Sequence, residues 1–149
     1  MIGQLQSNKI DRTLPLVALV HALDRTSLGD ALNNAAVKAG RTVDVLLEVN
    51  ISGEASKHGF APDETPGVLT RADAWRGLRM RGLMGMSGLH SDAAEKRREF
   101  AALRTLRDEL RRDFPDAALD ELSMGMSDDF EIAIEEGATI VRIGSALFE

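Results

Sequence analysis

The chain has 149 residues, 44% of them hydrophobic, which suffices for one domain with a sizeable core. A net charge of -6, with acids and bases mixed along the sequence, argues against a nucleic-acid surface or an anionic membrane as the main partner, while a small anion can still bind locally. The lack of cysteine excludes disulfides, thiolate chemistry and cysteine-held metals and fits a cytoplasmic protein; no apolar run approaches the roughly 20 residues of a membrane helix.

After a polar opening, "LPLVALVHALD" from Leu14 to Asp24 reads as a strand, and Ser27 starts a helix whose Leu28, Ala31, Leu32, Ala35 and Ala36 share one face up to Gly40. "VDVLLEVNIS" is apolar on both parities, the pattern of a strand covered on both faces, and its polar end from Asn50 to Gly59 is a loop. Thr65 and Pro66 fit the N-cap and first position of a helix with Val68, Leu69, Ala72 and Trp75 turned inward. "RMRGLMGMSG" follows as a strand. Ser91 or Asp92 then opens the longest helix, with Phe100, Leu103, Leu106, Leu110 and Phe114 on its apolar face and Pro115 at its end. "ALDELSMGM" is the next strand, "SDDFEIAIEEG" a short helix with Asp128 and Glu131 spaced as a capping box, and "TIVRIGSALF" the last strand.

Strands alternating with helices across short turns predict parallel β/α units in a single domain over residues 1–149. Both open sheets and barrels of this kind place their sites at the carboxyl ends of the strands, and in barrels a phosphate commonly sits between the loops after the last two strands. "SMGMSDDF" and "RIGSALF" occupy those two places. Small residues at Gly125, Ser127, Gly144 and Ser145 let backbone N–H groups approach a phosphate beside a helix N-terminus. Taken singly, each stretch is explained as well by a helix cap and close packing; occurring together on consecutive units, they point to an anion. Arg142 lies in an otherwise apolar strand, where a guanidinium needs an acceptor. A strand-end arginine paired with a carboxylate and an arginine facing a ligand are both open readings.

Five ordered motifs carry a resemblance: "IGQLQSNK" from Ile2, "VLLEVNISGEASKHG" from Val45, "RGLMGM" from Arg81, "LSMGMSDDFEIAI" from Leu122 and "VRIGSALF" from Val141. Together they resemble the pyridoxal phosphate homeostasis proteins, single-domain relatives of the alanine racemase barrel. The resemblance implies a parallel TIM-type (β/α) barrel of the alanine racemase N-terminal type, incomplete in this chain, with pyridoxal 5'-phosphate at its carboxyl face. It further implies that Ser123, Gly125, Met126, Gly144 and Ser145 hold the phosphate, that Arg142 faces the pyridine nitrogen, and that Asn50 and Met84 line the pocket. A ring nitrogen held against an arginine stays unprotonated, because arginine keeps its proton. That blunts the ring as an electron sink.

In the family, the lysine that bonds the cofactor lies on the first strand, before the "IGQLQSNK" segment. The chain is therefore expected to be an N-terminally truncated member that binds the cofactor weakly or without a covalent bond. The leading function is intracellular cofactor storage and delivery without catalysis, with apoenzymes that use pyridoxal phosphate as recipients and neither nucleic acid nor membrane as partner. The alternatives are an inactive fragment and an amino-acid racemase; the latter uses a lysine and a tyrosine as opposed bases, and the chain has no tyrosine. Lys38 and Lys96 are expected on solvated helix faces, and Lys9 and Lys57 in loops. His21, Glu48, His58 and His90 are scattered singly, without metal-ligand or triad spacing.

Overall fold

The structure, a computed structural model, describes residues 1–54 and 57–148. Ala55 and Ser56, which fall within the "GEASKHG" motif, and Glu149 lie outside the described residues. After a short α1 (Ile10–Thr13), the strands are β1 (Leu19–Leu23), β2 (Val43–Val49), β3 (Leu78–Gly85), β4 (Glu121–Met126) and β5 (Ile140–Arg142). All pair in parallel, in the unbroken order β1-β2-β3-β4-β5. Parallel neighbours need a crossover, and α2 (Thr26–Lys38), α3 (Thr65–Ala72), α4 (Ala93–Asp113) and α5 (Phe130–Glu135) fill the successive gaps. A sequential order is that of a barrel wall, whereas a doubly wound sheet reverses direction at a switch point. The sheet curls into an open half-barrel.

Side-chain parity divides the sheet into two environments. Val43, Val45, Leu47 and Val49 join Leu28, Leu32, Phe100 and Leu103 in the helix-side core. The alternate residues of β2, Leu46 and Glu48, are also buried but lie on the concave face. Register places Glu48 beside Met84 and Met84 beside Ser123, so these three form a row across that face. The short α5 is anchored to α4 through Glu136, whose carboxylate accepts from Arg97 at 2.9 Å and Arg104 at 2.8 Å. Among the described residues no helix is long and apolar enough to cross a membrane.

Several local expectations need correction. Leu14–Leu16 form a 3-10 turn, with Pro15 in its first positions, and the first strand starts only at Leu19. Thr65 is not an N-cap; a 3-10 turn over Pro62–Glu64 precedes it and its hydroxyl donates to the Pro62 carbonyl at 2.7 Å. The last strand is confined to Ile140–Arg142, with a 3-10 turn over Ser145–Leu147 where "GSALF" was read as strand. The capping box at Asp128 and Glu131 is absent: the helix starts at Phe130 with Asp129 at its N-cap. The box at the start of α4 does form, Asp92 accepting from the Glu95 amide at 2.8 Å and Glu95 from the Asp92 amide at 2.9 Å.

The β2–β3 register shifts by one residue at Gly82, whose φ of +151° suits glycine. A Cβ there would stand 1.9 Å from the Glu121 carbonyl oxygen, which belongs to the backbone of β4 and cannot swing away. Gly82→Ala is expected to remove about 2–4 kcal/mol of stability. The measurement is the urea midpoint, which should fall at unchanged m value; a midpoint equal to wild type would contradict the bulge.

Candidate functional site

The chemistry on the concave face starts from Arg142, the last residue of β5, which is 5% exposed. Its Nη1 donates to both the carbonyl and the hydroxyl oxygen of Ser123 at 2.8 Å, and its Nη2 to the Gly85 carbonyl at 2.9 Å. Burial lowers its pKa, while Asp129 and Glu48 act in the opposite sense. Guanidinium titrates so high that it stays a cation here. These bonds tie the ends of β3, β4 and β5 together and leave N–H groups of the fork for a ligand.

The Ser123 hydroxyl, fully buried, also meets His21 Nδ1 at 2.9 Å. Arg142 can only donate to it, which leaves the hydroxyl a second lone pair and its hydrogen for the imidazole, whose Nδ1 accepts or donates according to the ring tautomer. Burial, then the positive charges of the Met1 amino group and Arg142, pushes His21 down to about 4. Glu48 is pushed up, first by burial and next by Asp24, with His58 and Arg142 opposing.

Beyond this network the loops at the carboxyl ends of the strands enclose a cavity of about 340 Å³, at the lower end of the size range of small-molecule sites. Its walls come from Glu54 and Lys57 after β2, Met86 to Leu89 after β3, and Gly125, Met126, Asp128 and Asp129 at the end of β4, with Lys96 from α4 and Arg142 completing it. Asp129 organises one side: it accepts from the Met126 amide at 2.7 Å and from the Ser87 hydroxyl at 2.5 Å. The Lys57 ammonium donates to the Ser87 carbonyl. Gly125, at φ +88°, lets the turn pass over α5; a Cβ would come within 2.5 Å of Ala133 and 2.9 Å of the Phe130 backbone. A second cavity of about 430 Å³ lies between the start of β3 and the end of α4. It is at the opposite end from the strand C-termini where parallel β/α units collect their sites, and no buried polar network reaches it.

The sequence-predicted residues fall into separate groups. Gly125, Met126 and Arg142 line the cavity. Ser123 lies behind Arg142 as its acceptor, and Met84 is packed beside Ser123 at 2% exposure. Gly144 and Ser145 are exposed and do not line it, yet the Gly144 amide donates to Ser127 Oγ at 3.1 Å, so the two loops meet. Asn50 turns its side chain to the neighbouring loop, donating to the Glu54 carbonyl at 2.9 Å and accepting from the Gly53 amide at 3.1 Å. Lys96 needs correction: expected on a solvated face, it lines the cavity with its side chain 19% exposed. Its position in the first turn of α4 carried no periodic signal, because a helix that starts over the strand ends can turn its polar side toward them. Ser87, in the loop after β3, and Asp129, just before α5, reach the same cavity from two other strand ends. Among the described residues there is no cluster of histidine, aspartate and glutamate able to hold a metal ion.

The sequence profile of the alanine racemase N-terminal domain matches residues 3–149. The chain is similar to the pyridoxal phosphate homeostasis protein of Aquifex aeolicus, 44% identical over 147 residues, covering 99% of this chain and 64% of that one. It is also similar to the protein of that name from Pseudomonas aeruginosa, 42% identical, at 99% and 62% coverage. The chain belongs to the alanine racemase N-terminal domain family. It spans less than two thirds of the length of these two curated relatives. PipY of Synechococcus elongatus, solved without PLP, is 35% identical with a TM-score of 0.93, covering 99% of this chain and 68% of that one. PipY has also been solved with PLP bound; that structure is 34% identical with a TM-score of 0.89, at the same coverage.

The neutral state of His21 has a measurable consequence. Its pKa is about 4 in the folded chain and near 6.5 when unfolded, so the unfolded state binds the extra proton between those values. Stability is thus complete above about pH 6.5 and falls as pH drops toward 4, by at most on the order of 3 kcal/mol. The quantity to measure is the difference in unfolding free energy between wild type and His21→Gln from pH 4 to 7, which cancels the opposing contribution of Glu48. A pH-independent difference would contradict the neutral, Ser123-bonded imidazole.

Proposed function

We propose that this chain supplies the phosphate- and pyridine-binding side of a pyridoxal 5'-phosphate site, in a protein that stores the cofactor and delivers it to apoenzymes without catalysing amino-acid chemistry. The observation that carries this reading is Arg142, buried at the cavity wall with its guanidinium fixed by Ser123 and Gly85. The residues present suit the group. The cavity holds two lysines, Lys57 and Lys96, and the small turn at Gly125 for a dianionic phosphate, and Arg142 for the ring nitrogen. PipY, a relative of this chain, has been solved with PLP bound, and the curated relatives are named for homeostasis of the same compound.

Bound pyridoxal phosphate supplies an aldehyde and a ring that withdraws electrons strongly only when its nitrogen is protonated. Arg142 offers that nitrogen a hydrogen bond and no transferable proton, which favours holding the cofactor over activating it. The Ser123–His21 pair keeps the arginine from rotating. Met84 and Glu48 lie beside Ser123 on the same concave row, away from water. Delivery to apoenzymes fits a site whose charged groups are set at a loop-lined opening.

Isothermal titration of the chain with pyridoxal phosphate tests the reading. Binding should be saturable, and Arg142→Met should weaken it by about tenfold or more, the worth of a charge-assisted hydrogen bond, with the far-ultraviolet dichroism of wild type as the folding control. Solvent deuterium should not enter alanine at catalytic rates. Equal affinity in the folded variant would reject the role of Arg142, and rapid deuterium uptake would support the racemase.

A further inference from the structure

Three cations line the cavity, and they are not equivalent. Arg142 is fixed by its bonds to Ser123 and Gly85, and in the reading above its remaining N–H groups serve the ring nitrogen. The Lys57 ammonium is bound to the Ser87 carbonyl and stands 3.6 Å from Glu54. Lys96 Nζ instead approaches a single partner, Asp129 Oδ2, at 3.8 Å, an ion pair outside hydrogen-bond distance. That carboxylate already accepts one hydrogen bond at each oxygen, Oδ1 from the Met126 amide and Oδ2 from the Ser87 hydroxyl. Asp129 therefore draws the ammonium toward the Met126 turn while leaving its N–H groups unspent. Its side chain is 19% exposed and, among the described residues, its ammonium meets no acceptor at hydrogen-bond distance, so it has given up part of its hydration. An anion entering the cavity restores it.

We infer that Lys96 is a direct ligand of the phosphate group taken by this cavity, its ammonium contacting one phosphate oxygen while the Gly125–Met126 turn faces another. The inference rests on the cofactor reading above and adds to it a binding residue from α4, outside both glycine-serine loops. A phosphate brings three oxygens, so one can meet Lys96 and another the turn while the third stays free for a further donor.

Labelling of the full chain with acetic anhydride, read by mass spectrometry at Lys9, Lys38, Lys57 and Lys96, provides the test. Inorganic phosphate and pyridoxal phosphate should each shield Lys96 severalfold relative to Lys9 and Lys38, whereas pyridoxal, which lacks the phosphate, should not. Lys96→Met should weaken pyridoxal phosphate about tenfold and leave pyridoxal affinity and the thermal midpoint as in wild type; Lys96→Arg should retain most of the binding. Uniform labelling with and without phosphate, or a Lys96→Met variant that loses both ligands alike, would overturn the assignment even where pyridoxal phosphate binds. Shielding of Lys96 by inorganic phosphate in a chain that ignores pyridoxal phosphate would uphold the anion site and overturn the cofactor reading instead.

Discussion

A guanidinium buried at the end of the last strand is the constraint around which this half-barrel is organised. Arg142 cannot lose its charge, and isolated in an apolar interior that charge would cost several kcal/mol. The fold meets the demand with acceptors from two other strands, the Gly85 carbonyl and both oxygens of Ser123. Each acceptor has its own requirement. Gly85 must end β3 level with Arg142, which fixes the register set by the bulge at Gly82. Ser123 must also meet His21 Nδ1 on β1, 2.9 Å away. The charge at one edge of the sheet is thereby connected to the strand at the other edge.

The mouth of the cavity follows a different rule. Its three cationic side chains face three carboxylates, Glu54, Asp128 and Asp129, so net charge does not select an anion. What selects is which donors remain unspent. Asp129 accepts from the turn and from Ser87, and Glu54 accepts from the Leu89 amide at 3.2 Å. These carboxylates brace loops, and bracing removes them from competition for a ligand's hydrogen bonds though not from its field.

Much of this was legible in the sequence, and what was not has identifiable causes. The apolar double parity of "VDVLLEV" and the three- and four-residue spacing from Phe100 to Leu110 are direct imprints of burial, so strand and helix identity came through. Asp92 and Glu95 act within one turn of their own helix, and local chemistry is readable locally. Asp129 resembles Asp92 in type and setting, yet its carboxylate turns back to Met126 and across to Ser87, so an assignment by spacing alone put the cap in the wrong place. Arg142 stood out as a charge in an apolar strand, but its acceptors lie 19 and 57 residues away and no pattern announces them. Lys96 had no sequence signal, since its role depends on how α4 sits over the strand ends.

The bond from the Gly144 amide to Ser127 Oγ joins the turn after β4 to the turn after β5. Two peptide segments latched in this way share one opening event: neither can swing outward without breaking the latch or taking the other along. Solvent access to either is governed by the weaker of their attachments to the sheet, and β5, only three residues long, is the slighter hinge. Residence time at this mouth is then a property of the pair, and loosening the strand at Ile140 or Val141 would shorten it without replacing a group that meets the guest.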